Sequence, residues 1–291
     1  MVSVTGTGRI LCLVLSLGLL HIWLGWPITI GEPPHQAQKP RQRSNAYAFL
    51  LYDNRGTADY SCMCMVAIQS LRRYDHRTEV AVIRFEGTPR LPLPDSELVV
   101  DYPIGKPRNE GSAQWRYTFL KLQIARLPYK RVLFFDCDVL FYNSPVDLFY
   151  SIPFDSIAAP IAYWLTSRPL MSGGPFGVVP RPSLFADALD GRLNTKYDGE
   201  MDYLIDRFND TFKVLPVGSC VLVGEYVPDD PAFRMLKIPV ERALTVHFVA
   251  QWKPSRSLSA RLMRLHSADT TIHQIYRRWS SLADAVCVQT P

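Results

Sequence analysis

The sequence predicts an α/β domain built on a largely parallel sheet, set behind an apolar N-terminal segment. Three observations carry this expectation. Short continuous apolar runs, of the kind strands buried on both faces require, are separated by segments of helical period. Their order, strand, helix, strand, strand, helix, strand, is that of a sheet with crossover helices. The composition, 47% hydrophobic and 20% charged over 291 residues, suits one globular body with its own core plus a short extra segment. It excludes a disordered chain, a collagen-like repeat and a multi-pass membrane protein.

Taken in order, residues 1–9 read as a short cytosolic tail, and Ile10 to Ile30 is free of charge. At about 1.5 Å per residue that run just crosses a hydrocarbon core of ~30 Å. It reads as a signal-anchor helix, with a signal peptide cut near Thr29 or Gly31 as the alternative. A buried core helix is disfavoured, because the run has no polar face. Residues 31–45 are polar and Pro-rich, as for a stem. The body then lies in the secretory pathway, and the sequon Asn209-Asp210-Thr211 fits a lumenal body.

Ala46 to Tyr52 is the first buried strand, and Asp53 to Gly56 turns the chain. Tyr60, Met63, Cys64, Ala67, Ile68 and Leu71 recur at helical spacing. Val80–Ile83 and Leu98–Val100 are the next strands. Trp115 to Leu127 carries a helical period that ends near Pro128, and Arg131 to Phe135 is a buried strand running into Asp136-Cys137-Asp138. Ligands in such sheets bind beyond the carboxyl ends of the strands. Tyr52-Asp53 and Asp136-Cys137-Asp138 therefore share a rim. A last helical stretch spans Ile272 to Leu282, either packed on the body or facing anionic lipid through Arg277 and Arg278.

The net charge of +5 does not point to nucleic acid. Residues 1–45 hold four basic and one acidic side chain and 252–291 hold six and two, so the span between carries a net −2. No basic stripe crosses the body. Of six cysteines, Cys12 lies in the apolar run, leaving Cys62, Cys64, Cys137, Cys220 and Cys287. The C-x-C of Cys62 and Cys64 has no second pair downstream, which argues against zinc. One disulfide is allowed, its pairing open.

About one D-x-D is expected by chance in a chain with this much aspartate, so the string alone is weak. Its place at the end of an apolar strand is more telling. Asp136 and Asp138 can project to one rim and share a divalent cation, Mg²⁺ or Mn²⁺ by the hardness of their oxygens. An imidazole as third ligand favours Mn²⁺, and His247, in the strand-like Leu244 to Val249, is the candidate. Lys253, six residues on, is suited to neutralise charge on a leaving phosphate. Singly, Asp136 reads equally as a turn cap, His247 as a core histidine and Lys253 as a solvated amine; their order along the chain sets them apart. Tyr163 and Trp164, and Trp252, are candidates to stack on a ligand ring, although core packing is the commoner use. Arg116 is more simply an exposed helix arginine than a phosphate contact. Gly173-Gly174-Pro175 lacks the ending of a phosphate loop.

These residues together resemble the family 8 retaining glycosyltransferases of the glycogenin type. The likeness runs through Ala46 to Leu51, Gln69 to Leu71, Phe119 to Leu122, Leu127 to Asp138, Asp147 to Phe149, Ser172-Gly173, Val178 to Ser183 and His247 to Pro254. A narrower similarity, to the fungal Golgi branch with α-N-acetylglucosaminyltransferases, rests on Tyr197 to Glu200, Val214 to Pro216, Gly224 to Tyr226 and Ile275 to Trp279. The resemblance implies a GT-A nucleotide-diphospho-sugar transferase fold over 46–255, Rossmann-like with a mixed, mostly parallel sheet flanked by helices, and a helical tail over 256–291. It implies Mn²⁺ on Asp136, Asp138 and His247. Tyr52, Tyr60 and the backbone near Leu51 would hold uridine, and Lys121 and Asp136 the ribose or donor sugar. Ser172 and Gly173 would line the sugar pocket, Asp198 or Glu200 would position the sugar, and Lys253 would grip the diphosphate. Met171 stands where the family has an asparagine, Ala250 where it has a glycine and Ser255 where it has a tryptophan.

The expected activity is transfer of a hexose or N-acetylhexosamine from a UDP-sugar to a glycan or glycoprotein acceptor, with Mn²⁺, or Mg²⁺ in its place. The expected location is the Golgi membrane, as a single-pass type II protein with a lumenal catalytic body, or secretion if the leader is cleaved. A second copy of the chain, in a homodimer, is a further candidate partner. Rival readings are a UDP-sugar-binding pseudoenzyme, a self-glucosylating primer and a metal-dependent phosphoesterase.

Overall fold

The computed structural model describes residues 44–52, 60–86, 88, 90–100, 113–165, 169–189, 197–227, 236–249, 252–265 and 270–287. The apolar run at 10–30, the stem up to residue 43, Asp53, Ala250 and the side chain of Arg116 lie outside the description. Among the described residues no helix is long and apolar enough to cross a membrane.

The main sheet contains β1 (Ala46–Leu51), β2 (Glu79–Phe85), β3 (Ser96–Val100), β4 (Val132–Phe135), β6 (Ala158–Ala159), β7 (Phe176–Val178) and β8 (Lys213–Val214). Its strand order is β3-β2-β1-β4-β7-β6-β8. Pairing is parallel from β3 through β4 and antiparallel on both sides of β7. The expected mixed, mostly parallel α/β architecture is what forms.

Every residue of β1 is buried, as a strand covered on both faces demands. Its side chains alternate between two cores: Ala46, Ala48 and Leu50 face one, and Tyr47, Phe49 and Leu51 the other. β4 divides in the same way, Val132 and Phe134 against Leu133 and Phe135. The helix Tyr60–Arg72 covers the second face. The segment Ala113–Arg126 covers the first, and it is a 3₁₀ helix rather than the regular amphipathic helix the period suggested. Thr118 to Ala125 are all buried, so no solvent-facing stripe exists for an amphipathic helix to present.

A small second sheet, β5 (Val139–Phe141), β10 (Thr245–His247) and β9 (Val221–Leu222), lies beside the first. A third core joins it to Tyr60–Arg72 and to the C-terminal helices Arg256–Leu265 and Thr271–Val286. The last helix buries Ile272, Ile275, Tyr276, Trp279, Leu282 and Ala283. It is therefore part of the body, and Arg278 is a brace rather than a lipid contact: it donates to the Phe141 carbonyl at 2.8 Å and lies over the Tyr142 ring. The pairing left open by the sequence is Cys62–Cys287, which ties this helix to Tyr60–Arg72. Cys64, Cys137 and Cys220 are buried thiols.

Candidate active site

β1 and β4 pair from Ala46↔Val132 to Phe49↔Phe135, so the chain leaving each carboxyl end reaches one rim. There the backbone turns through Asp136-Cys137-Asp138 and returns in the second sheet as β5. Antiparallel pairing sets His247 opposite Val139, the residue after Asp138. The Phe248 N–H donates to the Asp138 carbonyl at 2.8 Å. Two strands more than a hundred residues apart thus put an imidazole against the carboxylate pair.

Asp136, Asp138 and His247 each offer a ligand atom, and these atoms all lie within 4.8 Å of one another. His247 Nε2 stands 3.1 Å from Asp138 Oδ1, and Lys253 Nζ donates to Oδ2 at 2.6 Å. Burial alone would raise the Asp138 pKa, but the two cationic partners outweigh it and hold the carboxyl well below the usual range. Burial likewise opposes charge on His247 and Lys253, and Asp138 raises both pKa values in spite of it. Lys253 also donates to the Tyr60 hydroxyl at 2.6 Å. The donor set fits a small divalent cation: two carboxylates and one imidazole are ligands for Mn²⁺ or Mg²⁺. Gly174 forms part of the cradle, since a Cβ built there would collide with Asp136 Oδ2.

Behind this group lies a buried charge relay. Lys121 Nζ is 2.9 Å from Asp136 Oδ1 and 2.6 Å from Glu200 Oε1. Burial disfavours its charge, yet the two carboxylates raise its pKa far above the ordinary value. The Glu200 N–H in turn points at the Thr118 hydroxyl, 3.4 Å away. Thr118 and Lys121 are three residues apart, and the three-residue turn of the 3₁₀ helix sets them on one edge.

Two cavities meet at the rim. One, of about 360 Å³, is lined by Leu50, Tyr52, Tyr60, Thr118, Asp138 and Lys253 among others. The other, of about 640 Å³, is lined by Trp164, Ser172, Gly173, Gly174, Asp198 and Glu200 among others. Lys121, Asp136, His247 and Val249 belong to both walls. The sequence-predicted residues are thus brought together, with one refinement. The Leu51 side chain points into the core, and Leu50 is the one that lines the cavity.

Some candidates are placed differently from others. Trp164 lines the larger cavity, whereas the Tyr163 hydroxyl accepts from the Leu222 N–H at 2.9 Å and so supports the wall. Trp252 packs on the third core. The Met171 side chain is fully buried, and its N–H donates to Asn209 Oδ1 at 3.1 Å. Sequence reasoning weighs Gly174 only as part of a phosphate loop, which it rejects, and misses Thr118 and Tyr117. The last stacks on Tyr52, with ring centroids 5.5 Å apart and planes within 12°. A glycine beside the quoted Ser172-Gly173 was the one signal available for Gly174.

Among solved structures the chain is similar to the galactosyltransferase LgtC in complex with donor and acceptor sugar analogues. Identity is 15%, coverage is 84% of this chain and 96% of LgtC, and the TM-score is 0.55. It is similar also to the glycosyltransferase GlyE of Streptococcus pneumoniae, at 15% identity over 84% of this chain with a TM-score of 0.53. The bifunctional glycosyltransferase WbbM follows at 13% identity over 88% of this chain with a TM-score of 0.52. The chain spans 63% of GlyE and 51% of WbbM. No family model matches the sequence, and no curated protein matches it. The fold is that of these glycosyltransferases, the GT-A fold, with a candidate metal site at its rim.

Proposed function

We propose that this protein is a retaining glycosyltransferase that moves a hexose or N-acetylhexosamine, glucose or N-acetylglucosamine foremost, from a UDP-sugar to a glycan or glycoprotein acceptor. One observation carries the reading: Asp136 and His247 stand on the wall common to two cavities, beside Asp138 and Lys253. The smaller cavity, with Tyr52, Tyr60 and Lys253, suits a uridine and a diphosphate. The larger, with Ser172, Gly173, Asp198 and Glu200, suits the donor sugar and the acceptor.

Asp136, Asp138 and His247 would hold Mn²⁺, with Mg²⁺ as substitute. When held by these residues, the ion would supply Lewis-acid neutralisation of the diphosphate. Lys253 adds a cation where charge grows as the bond from the anomeric carbon to the UDP oxygen breaks. Lys121 fixes Asp136 and Glu200, so the sugar meets groups already in place. The acceptor hydroxyl attacks the anomeric carbon on the face the UDP leaves and gives its proton to the departing UDP oxygen, which keeps the anomeric configuration. With 10–30 as a signal-anchor, the body works in the Golgi lumen. The narrower likeness to fungal N-acetylglucosaminyltransferases supports N-acetylglucosamine as the first donor to try.

The test uses the full chain, a panel of UDP-sugars and Mn²⁺, with UDP release recorded beside an Asp136→Ala/Asp138→Ala double variant. Release with one sugar, abolished in the variant and by chelation, supports the reading and names the donor. Mn²⁺-dependent UDP binding without release for any sugar or acceptor points instead to a pseudoenzyme. Absence of UDP binding overturns the proposal.

A further inference from the structure

The C-terminal helix Thr271–Val286 touches both sides of the Lys253 ammonium through intermediaries. Tyr276, fully buried, donates from its hydroxyl to the Trp252 carbonyl at 2.5 Å. Its ring packs edge-on against Phe248, with centroids 5.4 Å apart. Phe248 follows the candidate ligand His247, and Trp252 precedes Lys253. One side chain therefore touches both Phe248, next to the ligand, and Trp252, next to the lysine. The Trp252 N–H also donates to the Val249 carbonyl at 2.9 Å.

The second side is reached through the disulfide. Lys253 Nζ donates to the Tyr60 hydroxyl as well as to Asp138, and Tyr60 opens the helix Tyr60–Arg72. Two residues along, Cys62 is bonded to Cys287, the residue that ends the C-terminal helix. The helix thus fixes the Lys253 segment through Tyr276 and the Tyr60 segment through Cys287.

We propose that Tyr276, together with the Cys62–Cys287 bond, is the positioning element for Lys253, so that the C-terminal helix is part of the diphosphate-binding apparatus rather than a mere cover. The proposal rests on the reading of Lys253 as the diphosphate cation, but its first half, the placing of the amine, stands apart from any nucleotide. Lys253 is held in a three-membered contact, and the stem of a lysine is long and flexible. An ammonium on such a stem stays at one point only if its backbone is anchored. A hydrogen bond from a buried phenol to a part-buried carbonyl is such an anchor, and its loss leaves the carbonyl without that donor.

The experiment compares the full chain with Tyr276→Phe, which removes one oxygen and keeps the ring on Phe248. Trace acylation with acetic anhydride, read by peptide mass spectrometry at Lys253 against buried Lys121, reports the placing of the amine without any ligand. Labelling of Lys253 is expected to rise about threefold or more in the variant, and to rise likewise when the unmodified chain is reduced with dithiothreitol. UDP affinity with Mn²⁺ is expected to fall about tenfold, the scale of one lost hydrogen bond. Affinity for uridine, which carries no phosphate, stays within twofold. Unchanged labelling in both the variant and the reduced chain overturns the proposal, whatever UDP does. Raised labelling with UDP and uridine weakened in parallel overturns it too, since the loss is then of general structure. Raised labelling in a chain whose unmodified form binds no UDP leaves Tyr276 as the element that places Lys253 and removes the transferase reading instead.

Discussion

Gly174 lies so close to Asp136 that the carboxylate occupies the volume a side chain on Gly174 would need. The contact matters because Asp136 has a partner on its other oxygen, Lys121, at 2.9 Å. Between a glycine on one side and an ammonium on the other, the carboxylate has one place to stand. Gly174→Ala must push it out of that place. The expected outcome is a loss of Mn²⁺ affinity of about ten- to a hundredfold, the range for groups that orient a metal ligand. Far-UV circular dichroism should be unchanged. Titration calorimetry with Mn²⁺ checks this, and unchanged affinity would mean Asp136 is no ligand.

Lys121 lies between two carboxylates, Asp136 and Glu200. Its side chain is 9% exposed and that of Glu200 is 6%. Lys121→Met leaves the buried Glu200 without its cation and Asp136, 19% exposed on the cavity wall, short of one partner. Breaking a buried pair such as Lys121–Glu200 costs about 3–5 kcal/mol. The double variant Lys121→Met/Glu200→Gln should recover part of that cost, because one of the stranded charges is gone. Urea denaturation of the two singles and the double gives the coupling directly. Strict additivity would show that Lys121 and Glu200 are not coupled.

Much of this arrangement was legible in the sequence, and the limits have physical causes. β1 and β4 announced themselves because a central parallel strand is apolar throughout. β6, β8 and β9 have two residues each, too few to carry a period. Asp136 and Asp138 were visible as a pair at a strand end, whereas His247 is opposite them only because β10 pairs with β5. The residue-level reading made His247 a candidate, and the family resemblance strengthened it. The Cys62–Cys287 bond depends on how the last helix docks, which spacing does not encode. Gly174 reads in the sequence only as a failed phosphate loop, because its role is the space it leaves for Asp136 and an absent side chain has no pattern.

Asp75 offers a test of the fold remote from the rim. Its carboxylate accepts from the Tyr47 hydroxyl at 2.8 Å, from the Thr78 hydroxyl at 2.6 Å, and from the N–H groups of Arg77 and Thr78. Burial alone would raise its pKa, but these donors prevail and lower it to about 2. A depressed folded-state pKa stabilises the fold above the unfolded value of about 3.9 and ceases to do so as pH falls through the folded one. The contribution of Asp75 is therefore complete near pH 5 and fades between about pH 4 and pH 2. Asp75→Asn should lower the urea midpoint at pH 5, and the gap to the unsubstituted chain should narrow as the pH drops through that window. A gap constant with pH would show that the lost stability is steric rather than protonic.

Met171 makes the most direct contest between resemblance and structure. The resemblance to family 8 glycosyltransferases would put an asparagine at this position, its amide facing the cavity lined by Ser172 and Gly173. The side chain, however, is 0% exposed and belongs to the core beneath the sheet, packed in one cluster with Phe176 and Tyr203. What reaches the neighbourhood of the pocket is the backbone, pinned by Asn209, and Ser172 follows with its hydroxyl on the Gly174 carbonyl at 2.8 Å. Restoring asparagine at 171 would put an amide among apolar side chains, at a cost of about 1–3 kcal/mol for the unmatched polar group besides the lost methionine packing. Met171→Asn is accordingly expected to lower the thermal midpoint without raising UDP release with any donor sugar. Increased release, at unchanged stability, would mean that the asparagine finds the pocket and that this chain had lost a sugar contact there.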